Sequence, residues 1–481
     1  VASANVGSSK AVTLGSLALD NSSGVGSNYT LSTATVNITQ RALNLDGIRA
    51  YDGSTTASSS NITIGNLVSG ENLTLSGSGT VPNNSVEMNK TITLGSLAIA
   101  NGSGGTASNY TLSGGTHTFD ISALSVNITG SRQYDGTTTI SSSDLSLTNL
   151  VSGETVVLSG SGSVASKNVG ANKTVSAGSL ALSGSGSGNY TLASYTTTFE
   201  ITPRVLNSSG SRIYNGTTNA VASDATLSNL VGSETLNVSG TGTVLSAAAG
   251  TGKSINLGSL ALSNNSGTAS NYTLTGGTHT LDITRRPITI AASRVYDGTT
   301  SLDGTSVSTT FTYSNIVGSE IITQTGAGSV SSANVGSGKS VTLGTIALVD
   351  GSGSASNYSL TSATLDISRR PISLSGSRVY DATTTASSSD LTTLSNLVGS
   401  ETLALSNSGT ISNANVGTDK TVTIGSLSLG NGSNGGLGSN YTLSGGTHTL
   451  SVTQRPVTIS GSRFYDGTTT VSASDISTFN N

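Results

Sequence analysis

The chain of 481 residues has no cysteine, no tryptophan, one methionine and five prolines, and only 9% of it is charged. Without cysteine there is no disulfide, thiolate metal site or cysteine nucleophile. Any small module here must hold together on a hydrophobic core alone, which about 80 residues suffice for. The net charge of −4 leaves no basic patch for nucleic acid and no acidic tail. No apolar run approaches the roughly 18 residues needed to span a bilayer. Low charge alone does not mean disorder, which requires low hydrophobicity with high net charge. Here 34% of residues are hydrophobic, and they are regularly placed. Solubility falls to Ser, Thr, Asn and Gly.

What is present is a repeat. The landmark Arg-x-Tyr-Asp-Gly-Thr-Thr recurs with its tyrosine at Tyr51, Tyr134, Tyr214, Tyr296, Tyr380 and Tyr465, altered to Tyr-Asn-Gly at Asn215 and to Tyr-Asp-Ala at Ala382. A period near 80 residues marks an array of one small module. The divisions read as a partial module over 1–40, modules over 41–122, 123–202, 203–284, 285–368 and 369–453, and a partial module over 454–481. Val1 onward aligns with Val330 onward, so the sequence opens and closes in mid-module. The expectation is a window on a longer protein. The alternative is that the two fragments complete each other head-to-tail between molecules by strand addition.

Residues 285–368 illustrate the unit. Pro-Ile-Thr-Ile (287–290) alternates apolar and polar up to Val295, as a strand does. Tyr-Asp-Gly-Thr-Thr (296–300) is a turn, with Asp able to bond its own backbone two residues on. Asn-Ile-Val-Gly-Ser-Glu (315–320) leads into a strand-like stretch, Ile321 to Val330. Asn-Val-Gly-Ser-Gly-Lys (334–339) is a second turn. Beyond it, Val341 and Leu343 share one parity while Ile346 and Leu348 share the other. The switch at Gly344 implies either a β-bulge or a break with transfer to another sheet. Asn-Tyr-Ser-Leu (357–360) precedes a last strand, Ala363 to Ile367. No helical periodicity occurs. The fold class is all-β: a tandem array of small β-sandwich-like modules forming an elongated rod.

At the junctions one module's last strand meets the next module's first strand with no Gly/Ser linker. Arg286, Pro287, Arg370, Pro371, Arg455 and Pro456 mark three of them, and proline stiffens each by fixing φ. All 13 arginines fall in these segments. Their expected partners are the acids just upstream, Asp120, Glu200, Asp282 and Asp366. Twelve of the 14 tyrosines are in register: the six landmark residues, and Tyr29, Tyr110, Tyr190, Tyr272, Tyr358 and Tyr441 in Asn-Tyr-Thr/Ser-Leu. They read as core anchors with bonded hydroxyls, or else as a sugar-stacking platform. One lysine and one glutamate per unit are also in register. The lysines sit in Gly/Asn-rich turns and are expected in solvent.

No catalytic constellation exists: no histidine is present in every unit to activate a serine. His117, His279 and His448 share one position without further ligands nearby, so no metal is expected. No cofactor is implied.

Tyr-Asp-Gly-Thr-Thr, Asn-Leu-Val-Ser-Gly-Glu, Asn-Val-Gly-x-x-Lys, Asn-Tyr-Thr-Leu and Ile-Thr-x-Arg-Pro, in that order, resemble the YDG and MBG repeat modules of large bacterial exoproteins of the filamentous-haemagglutinin-like adhesin class. The resemblance covers essentially the whole chain. It implies an extracellular, bacterial cell-surface location and an all-β stalk without enzymatic activity, acting in surface display, attachment or biofilm matrix. Alternatives are multivalent glycan- or matrix-binding repeats, and a self-assembling extracellular fibre joined head-to-tail. Expected partners are therefore the protein itself, glycans, or host and matrix surfaces.

Overall fold

The computed structural model describes residues 1–481, apart from the side chain of Ser194. It is all-β, with strands joined by turns and by three-residue 3-10 segments. Among the described residues no helix is long and apolar enough to cross a membrane. The chain divides into two compact units. One comprises 1–207, 227–237 and 261–277; the other comprises 208–226, 238–260 and 278–481.

In the second unit, residues 285–368 show the plan. The first strand, Arg286–Val295, pairs in parallel with the last, Tyr358–Ser368. Along the first strand Ile288, Ile290, Ala292 and Arg294 are buried and alternate with outward residues, the period of two that a sheet with one covered face requires. A parallel pair needs a long crossover, and residues 296–357 supply it. The six-stranded sheet runs 301–303, 327–330, 336–342, 358–368, 286–295, 310–313 and curls like half a barrel. A separate two-stranded ribbon pairs Ile322–Thr325 with Ala347–Asp350.

The phase change at Gly344 is a sheet switch. Gly336–Thr342 belongs to the large sheet and Ala347–Asp350 to the ribbon. Gly344 sits between them at φ +57, with the carbonyl of Ala327 2.5 Å from where a Cβ would stand. A bulge is present too, but earlier, between Gly336 and Lys339. Residues 369–453 repeat this plan, with parallel pairing of Ser373–Val379 and His448–Thr453. In the first unit the same parallel pairing joins Asn44–Ala50 to His117–Ser122, and Leu124–Gln133 to Tyr190–Thr202.

Successive repeats are nearly continuous: a single residue, such as Ala123, Pro203, Arg285 or Arg369, separates one last strand from the next first strand. The cores do not respect these boundaries. One cluster in the second unit joins Tyr214, Ala220, Val244, Ile255, Leu281 and Ile283 to Ile288, Ile322 and Tyr358 of the following repeat. Another joins Ile290, Tyr296 and Leu365 to Ile372, Leu391 and Tyr441. Tyr214 and Tyr296 thus anchor cores that their own repeat shares with the next. Hydrophobic surface left open at the end of one repeat is closed by its neighbour.

Candidate functional site

The residues in sequence register converge on the junctions. Tyr296, after the first strand of its repeat, donates its hydroxyl to Glu401 Oε1 at 2.7 Å, 105 residues later. Tyr441 donates to Oε2 of the same carboxylate at 2.6 Å. The two rings meet edge to face, centroids 5.4 Å apart, a favoured aromatic geometry. The Tyr441 hydroxyl also accepts the Val398 N–H at 3.0 Å. One glutamate thus receives two hydroxyls, one from the preceding repeat and one from its own.

The arrangement recurs. Tyr214 and Tyr358 share Glu320, both at 2.6 Å. Tyr134 and Tyr272 share Glu234, at 2.8 and 2.7 Å. Tyr51 and Tyr190 share Glu154. All eight tyrosines are at most 5% exposed. Burial pushes the phenols of Tyr51, Tyr214, Tyr272 and Tyr441 up to about 12, and the carboxylate each one bonds adds to the shift. At Glu234 burial opposes ionisation, but the Tyr272 and Tyr134 hydroxyls and Lys167 outweigh it and hold the carboxyl below its usual range. Lys167, the lysine outside the register, lies 3.6 Å from Glu234 Oε1 and over the Tyr134 ring.

A second clasp lies beside the first. The asparagine before Tyr441, Tyr358, Tyr272 and Tyr190 accepts a backbone N–H from the previous repeat: Asn440 from Val335 at 3.0 Å, Asn357 from Ala249 at 2.8 Å, Asn271 from Val169 at 2.9 Å and Asn189 from Val86 at 3.0 Å. Asn440 and Asn271 also donate to Asn334 and Asn168 of the Asn-Val-Gly turn. Where that turn reads Asn84 to Asn89 or Ala247 to Gly250, the backbone bond remains. This explains how the motif tolerates those sequences.

The remaining anchors behave differently. Tyr110 is buried and bonds Glu71. Tyr29, Tyr380 and Tyr465 are 68%, 36% and 98% exposed. Arg286 bonds Asn315 through its backbone oxygen at 2.7 Å and its side-chain oxygen at 2.5 Å, and reaches the Tyr214 carbonyl at 3.3 Å. Arg370 does the same with Asn396 and Tyr296. Asn315 and Asn396 have φ of 64 and 71, which asparagine accepts more readily than other side-chain-bearing residues. Pro287 and Pro371 lie in first strands and offer their carbonyls to those asparagines. Arg455 and Pro456 are exposed.

Two expectations are corrected. The upstream acids do not pair with the arginines: Asp120, Asp282 and Asp366 accept the N–H of Asn89, Gly252 and Gly338. The landmark arginine turns inward instead. Arg294 donates to the carbonyls of Thr299 and Ser301 and pairs with Asp297 at 3.1 Å, which ties down the landmark turn. Nor do the register lysines stand in solvent. Lys339 and Lys420 fold back to the carbonyl seven residues earlier, at 3.2 and 3.1 Å. Lys90 is buried, bonded to Asn83 and Glu87.

His117 and His448 close their own turns, with Nε2 on the carbonyls of Leu112 and Leu443, and His279 Nδ1 meets the Ser208 hydroxyl at 2.9 Å. Among the described residues no cluster of three potential metal ligands occurs. The glutamates and asparagines of the clamp are what reading the sequence left without a role. Their signal was one in-register acid per complete repeat in a chain otherwise poor in charge.

No curated protein matches the sequence. Among solved structures, the N-terminal eight Ig domains of Down Syndrome Cell Adhesion Molecule isoform 1.30.30 align over 89% of this chain, at 9% identity and a TM-score of 0.13, too low to carry any argument. The chain spans 64% of that chain's length. The YDG domain model matches five times in tandem, over residues 39–118, 122–198, 200–280, 283–365 and 369–450. With most of its length matched in this way, the chain belongs to the YDG domain family.

Proposed function

We propose that this chain is the structural repeat region, a stalk or filament, of a bacterial extracellular adhesin-like protein, serving surface display, attachment or biofilm matrix and carrying no catalysis. The observation that carries this reading is the junction. Neighbouring repeats within each unit are joined by a shared core, a tyrosine–glutamate–tyrosine clamp and an asparagine clasp, with one residue in place of a linker. An array built to hold its neighbours uses its in-register residues this way; an array of independent binding sites would display them. The resemblance to exoproteins of the filamentous-haemagglutinin-like class supports a cell-surface location. Small-angle scattering of the 481-residue chain tests the stalk: the maximum dimension should far exceed that of a compact globule of equal mass. A globular profile would refute it.

A further inference from the structure

In every complete repeat the first and last strands lie side by side and point the same way. Six pairs join Leu45–Ala50 to His117–Ser122, and six more join Ser208–Ile213 to His279–Thr284. Leu374–Val379 pairs likewise with His448–Thr453. The ladder is longer at Leu124–Gln133 against Tyr190–Thr202, and longest at Arg286–Val295 against Tyr358–Ser368. A parallel pair is not the cheap solution, since it demands a crossover where a hairpin would need two residues. Its consequence is mechanical. Tension arriving along the chain enters a repeat at the start of its first strand and leaves at the end of its last. Because the strands are parallel neighbours, these two points lie at opposite ends of one ladder. The pull therefore slides the strands past each other and loads all rungs together. The same rungs pulled apart from one end would break one after another. Everything between the two strands, Tyr296 to Asn357 in the longest case, is shielded while the ladder holds.

The geometry points to each YDG repeat being a tension-bearing clamp, in which the ladder between first and last strands is the element that yields. This deepens the stalk reading by naming the load it resists, and the two fail separately: a chain extended in scattering yet weak under force would refute only the clamp.

The test is single-molecule stretching of the full chain, and the absence of cysteine lets attachment points and staples be placed at will. Pulled by its ends, the chain should unfold in discrete steps of about 190–240 Å, the extended length of the shielded segments. Three comparisons decide. First, handles on V295C and S368C, which face each other at one end of the longest ladder, should open it at a force lower by about twofold or more than end-pulling, at equal rate, since forced unfolding reports the barrier crossed. Second, A291C with T364C, exposed and directly opposite in that ladder, are within disulfide reach, with Cα atoms about 5 Å apart. Oxidation should remove one step from the end-pulled trace and reduction should restore it. Third, the repeat with ten pairs should yield after those with eight, six in the main ladder and two just ahead of it. Equal forces in the two pulling geometries, or a step count unchanged by the staple, would overturn the inference. Circular dichroism identical to the parent chain confirms that each variant is folded.

Discussion

Tyr296 and Tyr380 sit in landmarks that differ at one position, Gly298 against Ala382, with the same preceding arginine and the same following aspartate, yet Tyr296 is 3% exposed and Tyr380 36%. The difference is not local. Tyr296 N–H bonds the Ser368 carbonyl and Tyr380 N–H the equivalent Thr453 carbonyl, both at 2.9 Å, so the two backbones are seated alike. What Tyr296 has is a later repeat bearing Glu401 and Tyr441. The Asn396–Glu401 segment that follows Tyr380 is engaged by Tyr296, and among the described residues no carboxylate bonds the Tyr380 hydroxyl. A repeat therefore positions its landmark tyrosine, and its successor buries it.

Ways to break that comparison follow, beginning with the largest effect. Tyr296→Ala should destabilise its junction by about 3–5 kcal/mol, as deletion of a buried aromatic does. Tyr380→Ala should cost less than about 1 kcal/mol, in the range of exposed positions. Local hydrogen exchange around 296–300 and 396–401, and around 380–384, separates the two. Glu401→Ala leaves two buried hydroxyls without an acceptor and should cost about 1–3 kcal/mol for each. Glu401→Gln should recover part of this, and neither change should alter exchange at Tyr380.

Alkali sharpens the contrast. The clamp phenols with values near 12 bind their protons more tightly folded than unfolded, where a phenol titrates near 10. Their contribution is complete below about pH 10 and is lost as pH rises through 12. Denaturant unfolding should thus weaken over that window. Tyr134→Phe with Tyr272→Phe should flatten the slope at their junction. A smaller effect than at the clamp belongs to the clasp: Asn440→Ala removes the acceptor for the Val335 N–H and should cost about 1 kcal/mol, with Asn415 and Val416 unaffected in exchange.

The elements themselves were legible. Alternation over 287–295 gave the first strand, and the Asp297 turn forms as its chemistry implies, with Oδ1 accepting the Thr299 N–H at 3.0 Å. The parity change around Gly344 located a real transfer between sheets. What the sequence did not yield was the partner of each in-register residue. In a tandem array a contact within one repeat and a contact with the next leave the same periodic signature. Tyr296 could meet Glu320 or Glu401 without a letter changing. The arginines misled for a related reason. In a chain with little charge the nearest acids looked like partners, but Asp366 meets the backbone need of a bulged turn, and Arg294 meets that of the landmark turn.

The most direct measurement is a double-mutant cycle between Tyr296→Phe and Glu401→Ala, residues 105 apart in sequence and assigned to different repeats. If repeats close one another's cores, the two changes share one interaction, and their effects on unfolding should depart from additivity by at least about 0.5–1 kcal/mol. Additive effects, with Tyr296→Phe coupled instead to Glu320→Ala of its own repeat, would contradict the account.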